Sequence, residues 1–163
     1  MKNFQNKAKI IKVSKILRTI AFAGLVCWGL LIPIFLATTI MACFVAQTPS
    51  LFTTQFLVIP IFVFALLTNL KIFRFFDRLQ HGCFFDGQTV GNLNAASNWW
   101  LGLWFYEIVF FILMQQPWNH PHDFGLYHFT PDAGGLFAAL TLKFVAWFFR
   151  EAQELQEEQE LTV

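Results

Sequence analysis

The feature that most constrains this chain is an uncharged apolar run over residues 19–46. It is longer than the ~20 residues that an α-helix needs to cross a hydrocarbon core about 30 Å thick. Three further runs cover residues 51–70, 99–116 and 134–149, and only the last two contain a charged residue. Backbone amides inside a bilayer must be paired within the protein, which makes such runs helical. The sequence therefore predicts an all-α polytopic membrane protein with four transmembrane helices.

Composition agrees with this prediction. Hydrophobic residues make up 56% of the 163 residues and charged residues 13%, against about 45–50% and about 25% in a soluble domain. A soluble protein of this length could not cover so much apolar surface. We therefore expect a single membrane domain over residues 1–163.

Lysine and arginine are unevenly distributed among the segments that connect the runs. The connections over residues 47–50 and 117–133 contain neither residue type. Because basic residues favour the cytoplasmic side, we expect the N-terminal arm (1–18), the middle segment (71–98) and the tail (150–163) to be cytoplasmic, with loop 117–133 periplasmic or extracellular. The basic residues that decide this are Lys2, Lys7, Lys9, Lys12, Lys15, Arg18, Lys71, Arg74 and Arg78.

The middle segment, residues 71–98, has the signals of a helical hairpin between the second and third spans. Gly82 is a typical helix-ending residue, and Asp86 before Gly87 is a typical N-cap. The helix that starts there reaches Trp99 and Trp100, which suit the membrane interface.

Two stretches resemble the bacterial domain-of-unknown-function family 2975. The first is the pattern Phe73-x-x-Phe76-x-x-Leu79-x-x-Gly82-x-x-Phe85-x-x-x-x-Val90-x-x-Leu93, and the second is the acidic run Ala152 to Val163. The resemblance implies a small four-helix protein of the bacterial cytoplasmic (inner) membrane, from a family without an assigned activity or accepted catalytic residues. It also implies a partner, because genes of this family often lie beside one for a small helix-turn-helix regulator. The histidine-containing loop over residues 117–133 departs from the family pattern.

Glu107 and Lys143 are the ionisable residues within predicted spans, where a charge costs about 2.5–3.5 kcal/mol on insertion scales. Counting from the inner face at 1.5 Å per residue places them about 13 Å and about 10 Å deep. Because the third and fourth helices are neighbours, we expect an intramembrane charge pair. A structural salt bridge is favoured over an ion relay or ligand site, since the first two spans offer no chain of polar groups.

The outer loop contains a cluster of potential metal ligands. Histidine and carboxylate suit zinc or copper, but a His-x-His-Asp spacing is a weak signature and nearby prolines and Gly125 indicate irregular chain. An aromatic interfacial loop without metal is the favoured interpretation. The weak candidates are His120, His122, Asp123 and His128.

The C-terminal tail is acidic, consists of strong helix formers and is expected to prolong the fourth helix. Three interpretations stay open: a docking site for a basic protein, an internal contact with the chain's own basic segments, or a solvated charged end. The candidate docking residues are Glu151, Glu154, Glu157 and Glu158.

No catalytic constellation, cofactor motif or nucleic-acid-binding surface occurs in the sequence, so neither an enzyme nor a cofactor is expected. Cys27, Cys43 and Cys83 form no CxxC pair, which argues against a thiol oxidoreductase. Two classes of function remain. We favour a non-enzymatic membrane protein that binds or sequesters a cytoplasmic partner, such as a small helix-turn-helix regulator. The alternative is a membrane-embedded handler of a small molecule or ion, in transport, resistance or sensing, that uses Glu107 and Lys143. The oligomeric state is left open.

Overall fold

A computed structural model of the chain describes residues 2–46, 49–114 and 133–161, and these residues form four α-helices. Helix α1 spans Lys2–Ala46, α2 Pro49–Gln80, α3 Gly87–Met114 and α4 Ala133–Leu161. No strand occurs in the described part of the chain, which confirms the all-α class. The weak metal-ligand candidates His120, His122, Asp123 and His128 lie outside the described residues.

Each of the four helices contains a stretch long and apolar enough to cross a membrane. The stretches are Lys7–Met41, Val58–Gln80, Gly87–Leu113 and Ala133–Glu158. Large apolar side chains along them are exposed, among them Phe105 at 61% and Phe137 at 72%. A soluble protein rarely exposes apolar surface on this scale, whereas lipid covers it without cost. These properties indicate a multi-pass membrane protein.

The helices are longer than the predicted spans. Helix α1 starts at Lys2, so the basic arm is the first part of the same helix, and α1 continues through Pro33 without interruption. Helix α4 continues past Arg150 to Leu161, which confirms that the acidic tail prolongs the fourth helix.

Within the described residues, backbone contacts join α1 to α2, α2 to α3 and α3 to α4, and no other pair of helices. Small residues allow these close approaches. Gly24 of α1 faces the side chain of Asn69, and a Cβ at Gly102 of α3 would lie 2.9 Å from the ring of Phe64. Because contacts run only between successive helices, α1 and α4 are not neighbours.

A small apolar cluster ties α2, α3 and α4 together near the turn between α2 and α3. Phe75 and Leu79 of α2 are buried with Leu93 of α3 and Ala146 of α4. The rings of Phe75 and Phe149 lie 5.9 Å apart in an edge-to-face arrangement, a favourable geometry for aromatic pairs. The cluster fixes the end of the molecule where the charged residues gather.

Candidate functional site at the charged end of the helices

The turn between α2 and α3 is determined by local backbone chemistry. Gly82 has a φ of +84°, which glycine adopts more easily than any other residue. The amide of Cys83 donates to the carbonyl of Arg78 at 3.2 Å, and that of Gly82 donates to Leu79 at 3.1 Å. This is the Schellman pattern of hydrogen bonds at a helix C-terminus. The predicted helix end at Gly82 is confirmed.

Asp86 begins the next helix and joins it to the previous one. Its Oδ1 accepts a hydrogen bond from the backbone amide of Thr89 at 2.8 Å, which confirms the predicted N-cap. Its other oxygen accepts from the guanidinium of Arg78, which also donates to Gln88. Burial favours the neutral acid, but the hydrogen bonds from Thr89 and Arg78 outweigh it and hold the pKa of Asp86 below its ordinary value. The carboxylate is therefore charged under physiological conditions and holds the turn together.

The basic part of α1 lies against α2 and the turn. Arg18 forms an ion pair with Asp77, with Nε and Oδ1 2.8 Å apart, and its guanidinium lies over the ring of Phe73. About three helical turns earlier in α1, the Lys7 ammonium lies 5.9 Å from the centroid of the Phe84 ring. These contacts direct part of the positive charge of α1 towards α2.

Lys143 of α4 is held by two amides of α3. Its Nζ donates to Oδ1 of Asn94 and to Oδ1 of Asn98, each at 2.7 Å. Asn94 and Asn98 are four residues apart and therefore on one face of the helix. Two of the three N–H donors of the ammonium are therefore bound by neutral amide oxygens rather than by a carboxylate.

Glu107 lies on a different face of α3, so the structure does not bring it together with Lys143. Nine positions at about 100° each place Glu107 about half a turn away from Asn98. There it lines a cavity of about 490 Å³ that is also bounded by Trp28 of α1 and Thr68 of α2. The predicted Glu107–Lys143 pair rested on similar depths in the membrane. Lys143 instead reaches Asn94 and Asn98, which lie at least about 13 Å before Glu107 along α3 and on another face of the helix.

The acidic part of α4 projects beyond the start of α3. Gln153 lies beside Gly87, the first residue of α3, where an added Cβ would be 3.8 Å from its Nε2. The residues after Gln153 extend about 12 Å farther at 1.5 Å per residue. Glu151 just before this stretch, and Glu154, Glu157 and Glu158 within it, are exposed, and Leu155 is 59% exposed.

Glu154 and Glu157 have partners on α4 itself. Arg150 pairs with Glu154 at 3.0 Å, and the Gln153 amide donates to Glu157 at 2.8 Å. Both are exposed contacts one helical turn apart, which contribute little to stability. Helix α4 contacts α3 and not α1 or α2 through the backbone, so α1 does not pack along the acidic projection.

The described residues contain no group of three or more His, Cys, Asp or Glu side chains placed to hold a metal ion.

Comparison with known proteins found no matching family model, no similar curated protein and no similar solved structure. The resemblance to family 2975 therefore stays a prediction.

Proposed function

We propose that this chain is a non-enzymatic membrane protein that binds a basic cytoplasmic protein on the acidic projection of α4, defined as residues 151–158. The observation that carries the proposal is the separation of opposite charges at one end of the molecule. Part of the basic charge of α1 is directed to Asp77 and Phe84 through Arg18 and Lys7. Side chains of α4 before residue 150 pack on α2 and α3, whereas the carboxylates of the acidic projection are exposed and remain accessible to another protein.

The side of the membrane is part of the same proposal. The basic residues before the first span and after the second place the charged end in the cytoplasm under the positive-inside rule. The N-terminus, the turn between α2 and α3 and the C-terminus then share one side, and residues 71–98 form a cytoplasmic helical hairpin. The family resemblance implies the bacterial cytoplasmic membrane.

The form of the projection suits a small protein with a basic surface and an apolar contact. Glu151, Leu155 and Glu158 follow at i, i+4 and i+7, which places an exposed leucine between two carboxylates on one helix face. Opposite charge accelerates encounter and favours one class of partner. A small helix-turn-helix regulator has such a basic face, and binding here would keep it away from DNA.

The test is site-specific photocrosslinking of the full chain in intact cells. A benzophenone side chain at Leu155 is expected to form an adduct with a soluble basic protein, identified by mass spectrometry. The same group at Phe105, which is exposed on the apolar part of α3, is the control for contacts within the membrane.

Charge dependence decides the interpretation of that adduct. Glu151→Lys combined with Glu154→Lys should reduce it at least about tenfold, since each position changes from attraction to repulsion. Glu151→Asp with Glu154→Asp keeps the charge at the same positions and should preserve it. An adduct that persists after charge reversal, or that forms equally at Phe105, would rule out docking on the acidic projection.

A further inference from the structure

The cavity beside Glu107 results from the order in which the helices pack. Helices α1 and α3 each contact α2 but have no backbone contact with each other in the described part of the chain. A gap of about 490 Å³ remains over α2, bounded by Trp28, Phe62 and Trp100 among other apolar side chains. That volume lies within the range of about 300–1,000 Å³ for small-molecule sites.

Thr68 lines this cavity, and its hydroxyl oxygen is buried without a hydrogen-bond partner in the described part of the chain. Its side chain is 4% exposed. A threonine within a helix ordinarily donates to the carbonyl four residues earlier. Thr39 and Thr141 do so here, each at 2.7 Å. A buried polar group without a partner is costly, which distinguishes Thr68 from Thr39 and Thr141.

The charged residue that lines the cavity indicates the class of ligand. Glu107 lines it together with Asn69 and Thr68, and no lysine or arginine is among the described residues that line it. A carboxylate in an otherwise apolar, aromatic cavity favours a cation, which the faces of Trp28 and Trp100 also attract. A bare Mg²⁺ or Ca²⁺ ion requires six or more oxygen ligands. This cavity is too apolar to supply them, whereas its aromatic walls suit a cation with an apolar body.

We propose that the Glu107 cavity binds a hydrophobic organic cation, such as a protonated amine with an aromatic or aliphatic body. The carboxylate of Glu107 faces the positive charge, and the aromatic walls cover the apolar body. This site is independent of the acidic projection, because it lies between α1, α2 and α3 rather than on α4.

Tetraphenylphosphonium and tetraphenylborate test the proposal, because they have nearly the same shape and opposite charge. Binding to the full chain in lipid nanodiscs is measured by calorimetry and by quenching of tryptophan fluorescence, since Trp28 and Trp100 line the cavity. The phosphonium is expected to bind saturably and at least about tenfold more tightly than the borate, the scale of a desolvated cation–π contact with a carboxylate nearby.

Two variants address the site itself. Glu107→Gln should weaken phosphonium binding at least about tenfold, whereas Glu157→Gln on the acidic projection is the matched control and should leave it unchanged. Ala65→Phe fills the cavity without changing charge and should also abolish binding, which keeps the test valid if Glu107→Gln fails to fold. The proposal would be overturned if the two ions bound with equal affinity or if the cation showed no saturable binding. It would also be overturned if either folded variant bound the phosphonium as the wild type does.

Discussion

Replacing Asp86 with alanine is expected to lower the free energy of unfolding by about 2 kcal/mol. Loss of an N-cap typically costs about 1 kcal/mol, and the partly exposed ion pair with Arg78 adds up to about 1 kcal/mol. Both interactions come from the same carboxylate. The measurement is unfolding of the purified protein in mixed micelles by increasing SDS, followed by circular dichroism.

Asp86→Asn separates the two contributions. Asparagine is as good an N-cap as aspartate, so this variant should lose only the part that depends on Arg78, about half of the alanine loss. Equal losses in the two variants would show that the cap to Thr89 contributes nothing.

The same carboxylate predicts a pH dependence with a definite sign. The folded pKa of Asp86 lies below its ordinary value, so the unfolded chain binds the proton more readily. The ionised form therefore stabilises the fold fully above pH about 4, and this contribution is lost as the pH falls through the folded pKa. The stability difference between the wild type and Asp86→Ala should narrow below pH about 4. A difference that grows on acidification would contradict this assignment.

The second large effect concerns Lys143. Lys143→Met leaves the Oδ1 atoms of Asn94 and Asn98 without their donor and is expected to cost about 1–2 kcal/mol, the scale of polar contacts between membrane helices. A double-mutant cycle with Asn98→Ala should show coupling, because the two side chains share one hydrogen bond. The free energies come from the same SDS unfolding experiment.

Lys143→Met combined with Glu107→Gln is the matched cycle for the pair expected from depth alone. The stability losses of the two single variants should add within about 0.5 kcal/mol in the double variant, since Lys143 contacts one face of α3 and Glu107 lies on another. A larger coupling energy between Lys143 and Glu107 than between Lys143 and Asn98 would support the charge pair instead.

The parts of this fold that could be predicted from the sequence are local. The four helices follow from apolar runs, and the turn at Gly82 and Asp86 follows from the conformational freedom of glycine and the capping preference of aspartate. The continuation of α4 to Leu161 follows from a run without helix breakers. Each depends on residues close together in sequence.

The candidate sites could be predicted only in part, because they depend on which helix faces meet. The order of the helices identified α3 as the neighbour of Lys143, but the depth estimate did not identify Asn94 and Asn98 as its partners. The spacing of those two asparagines on one face of α3 was the available signal. The cavity beside Glu107 had no such signal, since it exists because α1 and α3 both pack on α2 and not on each other. The accessibility of the acidic projection likewise depends on α4 lying away from α1.

In the proposed topology, four helices cross a membrane and all charged helix ends lie on its cytoplasmic side. Cys83 lies in the turn between α2 and α3 and can report on this directly once Cys27 and Cys43 are replaced with alanine. A second single-cysteine chain places the reporter at Gln156 on α4. A membrane-impermeant maleimide should label both positions in inside-out vesicles and neither in sealed right-side-out vesicles. Labelling of the two positions from opposite sides of the membrane, or of either position in sealed right-side-out vesicles, would contradict this topology.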